Sequence, residues 1–137
     1  LLGTHQFSKI KDYAIIGDCR SAALIARNGS LDWLCWPRFD SSPIFAGLLD
    51  PERGGFWRIS PSCPYKTERQ YVRDTNVLET RFLCPGGIGV LTDLMPVTSE
   101  SCKRLQLVAD HEVLRQIECV SGELPIEVYF EPRAGFG

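Results

Sequence analysis

At 137 residues the chain is long enough for one domain with a hydrophobic core of its own. With 44% apolar and 23% charged residues it has an ordinary globular composition, and a formal charge of −2 gives no general electrostatic reason to bind nucleic acid or an anionic membrane. No stretch approaches the roughly 20 apolar residues of a membrane-spanning helix, and the N-terminal LLGTHQFSKIKD lacks the charged, apolar and small-residue regions of a signal peptide, so a cytoplasmic location is expected.

Residues 1 to 11 read as a loosely held leader. Tyr13 to Ile16 is a short apolar segment ended by the turn dipeptide Gly17-Asp18, and Ala22 to Arg27 is a second one. Asn28-Gly29-Ser30 follows, and Asn-Gly is a strong hairpin signal because both residues tolerate positive φ. Leu31 to Trp36 is the returning strand. Simple alternation puts Leu31, Trp33 and Cys35 on one face and Asp32, Leu34 and Trp36 on the other. Pro37 stops regular pairing, Asp40 to Pro43 resembles a turn or helix start, and Ile44 to Leu49 is expected to form one or two helical turns.

Gly54-Gly55 is a further turn, Phe56 to Ile59 a short strand, and Ser60 to Pro64 a loop. From Tyr65 the pattern is clearly β. Lys66 to Val72 is polar and suits an edge strand, and Val77 to Cys84 pairs with Ile88 to Leu94 across Pro85-Gly86-Gly87. Residues 98 to 111 read as a loop. Val113 to Val120 and Leu124 to Glu131 read as a third hairpin about Ser121-Gly122-Glu123, with Ile126, Val128 and Phe130 on one face. Glu131 to Gly137 reads as a strand exit. Short strands at regular spacing, Gly/Pro/Asn/Ser turns and no sustained 3.6-residue period define the expected fold class: all-β, an antiparallel β-sandwich with at most one short helix.

Candidate chemistry is sparse. The six cysteines (Cys19, Cys35, Cys63, Cys84, Cys102 and Cys119) form no CxxC pair, and His5 and His111 lie in no ligand-spaced motif, so no metal site and no cofactor are expected. Cys19, Cys35 and Cys119 lie in apolar runs as small hydrophobes. The cysteines are expected to be reduced, with three disulfides the alternative for a secreted protein. Neither histidine supports a Ser-His-Asp triad, and Pro85-Gly86-Gly87-Ile88-Gly89 lacks the Lys and helix of a phosphate loop, so it reads as a hairpin turn. Asp18, Asp32, Asp40 and Asp93 lie near turns, where Asp commonly accepts from backbone amides. The cluster Trp36, Arg38, Phe39 and Asp40 is richer. Aromatic rings stack on sugar faces while Arg and Asp bond hydroxyls. The plainer reading has Trp33 and Phe39 in the core and Arg38 paired with Asp40, and core packing is also the plainer reading of Phe56-Trp57.

These residues carry a resemblance. YAIIGDCRSAALIARNGSLDWLCWPRFDSSPIFAGLLD is similar to the start of the glucoamylase-like and trehalase-like proteins of glycoside hydrolase family 15. The shared features are Tyr13, Ile16-Gly17-Asp18, Gly29 to Cys35 and Pro37 to Ser41, with Ser42 delaying Pro43 by one residue. Tyr71 to Thr80 resembles the family's Y-x-x-D-T-x-V-L-E-T strand, Leu91 to Pro96 its L-T-D-F-M-P, Leu114 to Pro125 its L-x-R-x-V-x-x-x-S-G-x-V-P, and Pro132-Arg133 its P-R-F-D-Y.

The resemblance implies an N-terminal β-sandwich that precedes a helical (α/α)6 barrel. That barrel carries both catalytic glutamates of an inverting mechanism, their carboxyls about 6.5–9.5 Å apart. Residues 1–137 would then be one sandwich domain, truncated and without the barrel, and no catalytic residue is expected in it. The expected role is the N-terminal domain of an α-glucoside hydrolase, supporting the barrel and lending the Pro37 to Ser41 loop to a substrate cleft. Trp36, Arg38, Phe39 and Asp40 are the substrate-binding candidates. The substrate class stays open between starch-type, isomaltose-type and trehalose linkages. The alternatives are a free-standing carbohydrate-binding or interaction module and a purely structural domain. Exposed sheet edges would favour a homo-oligomer.

Overall fold

The computed structural model describes residues 8–108 and 110–136. Most of the expected leader, with His5, lies outside these residues, and Ile10–Asp12 form a single 3-10 turn. Ten strands follow: β1 (Ala14–Gly17), β2 (Ala22–Ile25), β3 (Ser30–Cys35), β4 (Pro43–Phe45), β5 (Phe56–Pro61), β6 (Lys66–Tyr71), β7 (Leu78–Cys84), β8 (Gly87–Leu94), β9 (Leu114–Gly122) and β10 (Ile126–Glu131). One sheet runs β1-β2-β3-β5-β10 with β4 also on β3, and the other runs β6-β7-β8-β9. All of these pairings are antiparallel. The sheets face each other across a core of Ile16, Ala23, Ile25, Leu31, Leu34 and Phe45 from the first, with Leu78 and Met95 from the second. A second patch joins Ile59 to Phe82 and Leu91. The fold is the expected antiparallel β-sandwich.

The Asn28-Gly29 turn joins β2 to β3 as expected. Gly29 has φ of 77°, and a Cβ there would stand 2.2 Å from the Ile59 carbonyl oxygen, so both the conformation and the space require glycine. Face alternation along β3 departs from simple reading. Leu24 pairs with Trp33 but Ile25 with Leu31, which leaves Asp32 as the extra residue of a β-bulge. The bulge shifts the phase by one residue, so Leu31 and Leu34 both enter the same core.

Three further expectations are corrected. Ile44 and Phe45 belong to strand β4, paired with β3, and only one isolated turn follows, with the Leu49 and Asp50 amides donating to the Ala46 carbonyl. The stretch from 98 to 111, read as a loop, contains a short helix, α1 (Glu100–Leu105), capped by the Ser99 hydroxyl.

The third is the hairpin of β9 and β10, which does not form. β9 pairs with β8, whereas β10 crosses to pair with β5 in the other sheet. A bulge leaves Val120 unpaired, Gly122 takes φ of 68°, and the Glu123 amide donates to Gly86, so the strand bends away from its own sheet. Ile126, Val128 and Phe130 do share a face. It is the inner face, since Val128 lies opposite core Ile59 and Ile126 packs beside it. Val128 and Phe130 nevertheless remain 59% exposed, with the Phe130 ring edge-on to Phe45 and Trp57.

Two polar devices hold the sheets together. At one end, Tyr71 of β6 both accepts from the Ile15 amide and donates to the Ile15 carbonyl, satisfying the free edge of β1. Arg69 donates to the Ile25 and Asp12 carbonyls, and Asn76 to Gly17. At the other end, Arg115 of β9 pairs with Asp93 of β8 (Nε to Oδ1, 2.6 Å), both side chains fully buried. The same guanidinium donates across the sandwich to the Trp57 carbonyl and, at 2.7 Å, to that of Gly29. Replacing Arg115 with Met strands the Asp93 carboxyl and two carbonyls in the core. Urea denaturation is expected to show a loss of about 3–5 kcal/mol, part of it recovered in the double variant Asp93→Leu/Arg115→Met.

Candidate functional site beside the Pro37 to Ser41 loop

β3 ends at Cys35, and the chain leaves the core through Trp36 and a cis peptide to Pro37. Arg38, Phe39 and Asp40 then lie on the surface, while the Ser41 amide donates to the Arg38 carbonyl to close the turn. The loop is seated on the β1–β2 turn, where the Phe39 amide donates to the Arg20 carbonyl. That turn is itself ordered by Asp18, whose Oδ1 accepts from the Arg20 and Ser21 amides at 2.9 and 2.8 Å. The Ser21 hydroxyl donates to the Cys35 carbonyl. Asp18 thus does what the sequence suggests for a turn aspartate.

Between loop and turn lies an open cleft of about 660 Å³, lined by Cys19, Arg20, Pro37, Arg38, Phe39, Asp40 and His111. Three of the four predicted site residues meet there. Phe39 is 61% exposed, against the core reading of that ring, and Arg38 reaches Asp40 at 3.1 Å in the expected pair. Trp36 stands apart: it is half-buried against the core and does not line the cleft. Exposed ring, guanidinium and carboxylate side by side can stack on a sugar face and bond its hydroxyls.

The cleft also takes Arg20, Cys19 and His111, which sequence reasoning passed over. Cys19 and His111 both hold positive φ, 68° and 62°. Arg20 lies between the Gly17-Asp18 turn and the Ala22 to Arg27 segment with no motif of its own, and His111 likewise belongs to no motif. Arg20 reaches Glu100 at 2.8 Å and Asp110 at 3.3 Å, and Lys103 of α1 reaches the same two acids at 3.4 and 2.8 Å. These charges border an adjoining recess of about 270 Å³. Every acid lining either cavity, Asp18, Asp40, Glu100 and Asp110, is bonded to a cation or a backbone amide. Of the cysteines read as small hydrophobes, only Cys35 is buried, whereas Cys19 and Cys119 are exposed.

The family-like residues around the cleft hold the framework. Tyr13 donates to Asp32 Oδ2 at 2.7 Å, and the Ser30 hydroxyl donates to Asp32 Oδ1. Burial, with the Asp32 carboxylate beside it, pushes the Tyr13 phenol well above its ordinary range. Asp32 and Asp93 thus bond side chains in the core, not turn amides as the sequence suggests.

The Arg20–α1 clasp has a definite pH range. The hydrogen bond from Lys103 holds the Asp110 carboxyl below its ordinary 3.8, and the bond to Asp110 lifts Lys103 above its ordinary 10.5. A depressed carboxyl adds stability above its unfolded value and loses it as pH falls through the folded one. A raised lysine adds stability below its unfolded value and loses it as pH rises through the folded one. The clasp is therefore intact across neutral pH. An NMR carboxyl titration is expected to place Asp110 below 3.8 and to return it toward that value in Lys103→Met.

Among the described residues no helix is long and apolar enough to cross a membrane. No solved structure is a significant match to the chain. Three relatives illustrate the curated matches. A trehalase of Thermoplasma volcanium is 37% identical over 134 residues, covering 96% of this chain and 21% of the relative. A trehalase of Mycolicibacterium smegmatis is 31% identical over 137 residues, covering 92% and 20%. Trehalase 2 of Sulfolobus acidocaldarius is 33% identical over 94 residues, covering 69% and 16%. The chain thus spans about a fifth of the length of the first of these relatives. The family profile described as "Trehalase-like, N-terminal" matches residues 1–137, and the chain belongs to that family of glycoside-hydrolase N-terminal domains.

Proposed function

We propose that this chain is the non-catalytic N-terminal domain of an inverting α-glucoside hydrolase acting on trehalose or a related α-glucoside in the cytoplasm. The observation that carries the reading is the match along the whole chain to a trehalase N-terminal family, by a chain a fifth as long as its trehalase relatives. The cleft supports a share in substrate binding: Phe39, Arg38 and Asp40 are exposed together, and the acids nearby are committed to bonds. The acid–base pair would belong to a catalytic barrel outside these residues, where inversion requires two carboxyls about 6.5–9.5 Å apart. That barrel is the proposed partner of the sandwich. The exposed inner face of β10, with Val128 and Phe130, is an apolar surface for further chain, or failing that for a second copy.

The test is made in the full-length enzyme. Arg38→Ala, Phe39→Ala and Asp40→Ala are each expected to lower kcat/KM for trehalose by about tenfold, roughly 1.4 kcal/mol of transition-state binding, with Tm unchanged because all three side chains are exposed. Unaltered kcat and KM in stable variants would remove the loop from the substrate cleft. Calorimetric binding of trehalose or a glucan by the isolated chain would instead favour a free-standing carbohydrate-binding module.

A further inference from the structure

Strand β9 lies over β5. Arg115 of β9 donates across the sandwich to the Trp57 carbonyl, its guanidinium carbon stands 5.1 Å from the Trp57 ring, and Ile117 packs on the cluster of Ile59, Phe82 and Leu91. β9 is the last strand of its sheet, whereas the first sheet continues past β5 to β10. The result shows in one pair of residues on the same inner face. Ile59 and Val128 stand directly opposite in register, yet Ile59 is 6% exposed and Val128 59%. β9 covers the first and does not reach the second.

The outer edge of β9 adjoins that uncovered row. Among the described residues β9 pairs only with β8, in unbroken register from Leu114 to Cys119. Alternate backbone amides and carbonyls of that run therefore face away from β8. The run carries no Lys and no Pro, residues that commonly blunt an edge. The other side of the sandwich is closed differently, by Tyr71 of β6 bonding the Ile15 amide and carbonyl of β1.

We propose that a strand of the same polypeptide, from outside residues 1–137, adds to the outer edge of β9 as the fifth strand of the second sheet and covers Val128 and Phe130. The inference rests on reading this chain as one domain of a longer enzyme. The match to the Thermoplasma volcanium trehalase takes in 21% of that relative, so proteins of its length hold ample further chain. The occupant's chemistry follows from the two surfaces. Neighbouring strands are spaced about 4.8 Å apart, so one strand step from β9 lies over β10 as β9 lies over β5. The added backbone bonds the β9 edge, and its inward side chains, at alternate positions, are apolar to meet Val128 and Phe130. A helix laid on the same side chains leaves the outward β9 amides without partners. A second copy fits worse. Two β9 edges joined antiparallel about a two-fold axis keep both first sheets on one side, and each β10, reaching one strand past its own β9, runs into β5 of the other copy.

The experiment is amide hydrogen exchange on the full-length natural enzyme, read residue by residue along β9. Consecutive amides from Arg115 to Cys119 are expected to exchange slowly, those facing away from β8 at least about tenfold more slowly than exposed loop amides. Hydroxyl-radical footprinting of the same sample is expected to find Phe130 protected. Phe130→Lys is expected to speed exchange at the outward β9 amides, and Phe130→Leu to leave it slow. An alternating fast and slow pattern along β9 in the unaltered enzyme, whether Phe130 is open or covered, would overturn the proposal. So would protection that disappears as a dimer dilutes to monomer, which assigns the edge to a second copy. Trehalose hydrolysis by the same sample is measured separately. Activity beside an alternating pattern sinks the added strand and leaves the functional reading standing, whereas a uniformly slow β9 in a protein without glycosidase activity does the reverse.

Discussion

The sandwich depends on one buried contact, the guanidinium of Arg115 on the carboxylate of Asp93. Neither side chain reaches solvent. Burial pushes the Asp93 carboxyl above its ordinary value, and the Arg115 charge and hydrogen bonds pull it back without cancelling the rise. Keeping the ionised form in the core is thus a net cost, and the pair is better understood as a positioning device than as a source of stability. Its geometry supports that view. A guanidinium presents donors in a fixed plane, and here Asp93 takes one edge while the carbonyls of Trp57 and Gly29 take the rest. One side chain from the second sheet sets where β5 and the β2–β3 turn of the first must lie. The Trp57 ring covers it, 5.1 Å from the guanidinium carbon.

From that turn the constraint propagates along β3. Gly29 is held by Arg115 on one side and donated to by the Ile59 amide on the other, so the start of β3 cannot slide. The following bulge at Asp32 is what allows Leu31 and Leu34 to share one core while the aspartate turns to meet Ser30 and Tyr13. Without the extra residue, strict alternation would send Leu34 to the opposite face. Strand β3 therefore ends at a defined height and angle, and the Pro37 to Ser41 loop leaves from a rigid base. The framework charges are buried and bonded. The loop's charges are exposed and bonded to each other.

That division explains what the sequence could and could not reveal. Short strands, their turns and the sandwich class are local properties, and Asn28-Gly29 and Pro85-Gly86-Gly87 mark their hairpins without tertiary help. The choice of partner for β10 is not local. Ile126, Val128 and Phe130 alternate identically whether they pair with β9 or with β5, and only the bulge at Val120 and the left-handed Gly122 divert the chain. The phase change at Asp32 is hidden for the same reason: a bulge is a relation between two strands. β4 was misread because Ile44 to Leu49 is too short for periodicity to separate a strand from a turn. At the site, Arg38, Phe39 and Asp40 are adjacent in sequence and so were legible together. Arg20 and His111 reach the cleft from distant segments, and no spacing rule connects them.

The cleft's position relative to the framework carries the last step. Its walls are the β1–β2 turn, the loop after β3 and His111 just ahead of β9, all connecting segments, and none of the inter-sheet bonds passes through it. Substitution there leaves the Arg115 and Arg69 contacts untouched, so recognition and folding can vary independently. The framework also makes the cleft precise, because the loop is bonded to the Arg20 turn at its middle and anchored by β3 at its root. The clasp of α1 on Arg20 lines the adjoining recess with four charges that are only partly buried, which makes it weaker and more adjustable than the Arg115 pair. A rigid base under an exposed aromatic and charged loop, with an adjustable clasp in the adjoining recess, fits the proposed share of the loop in substrate binding.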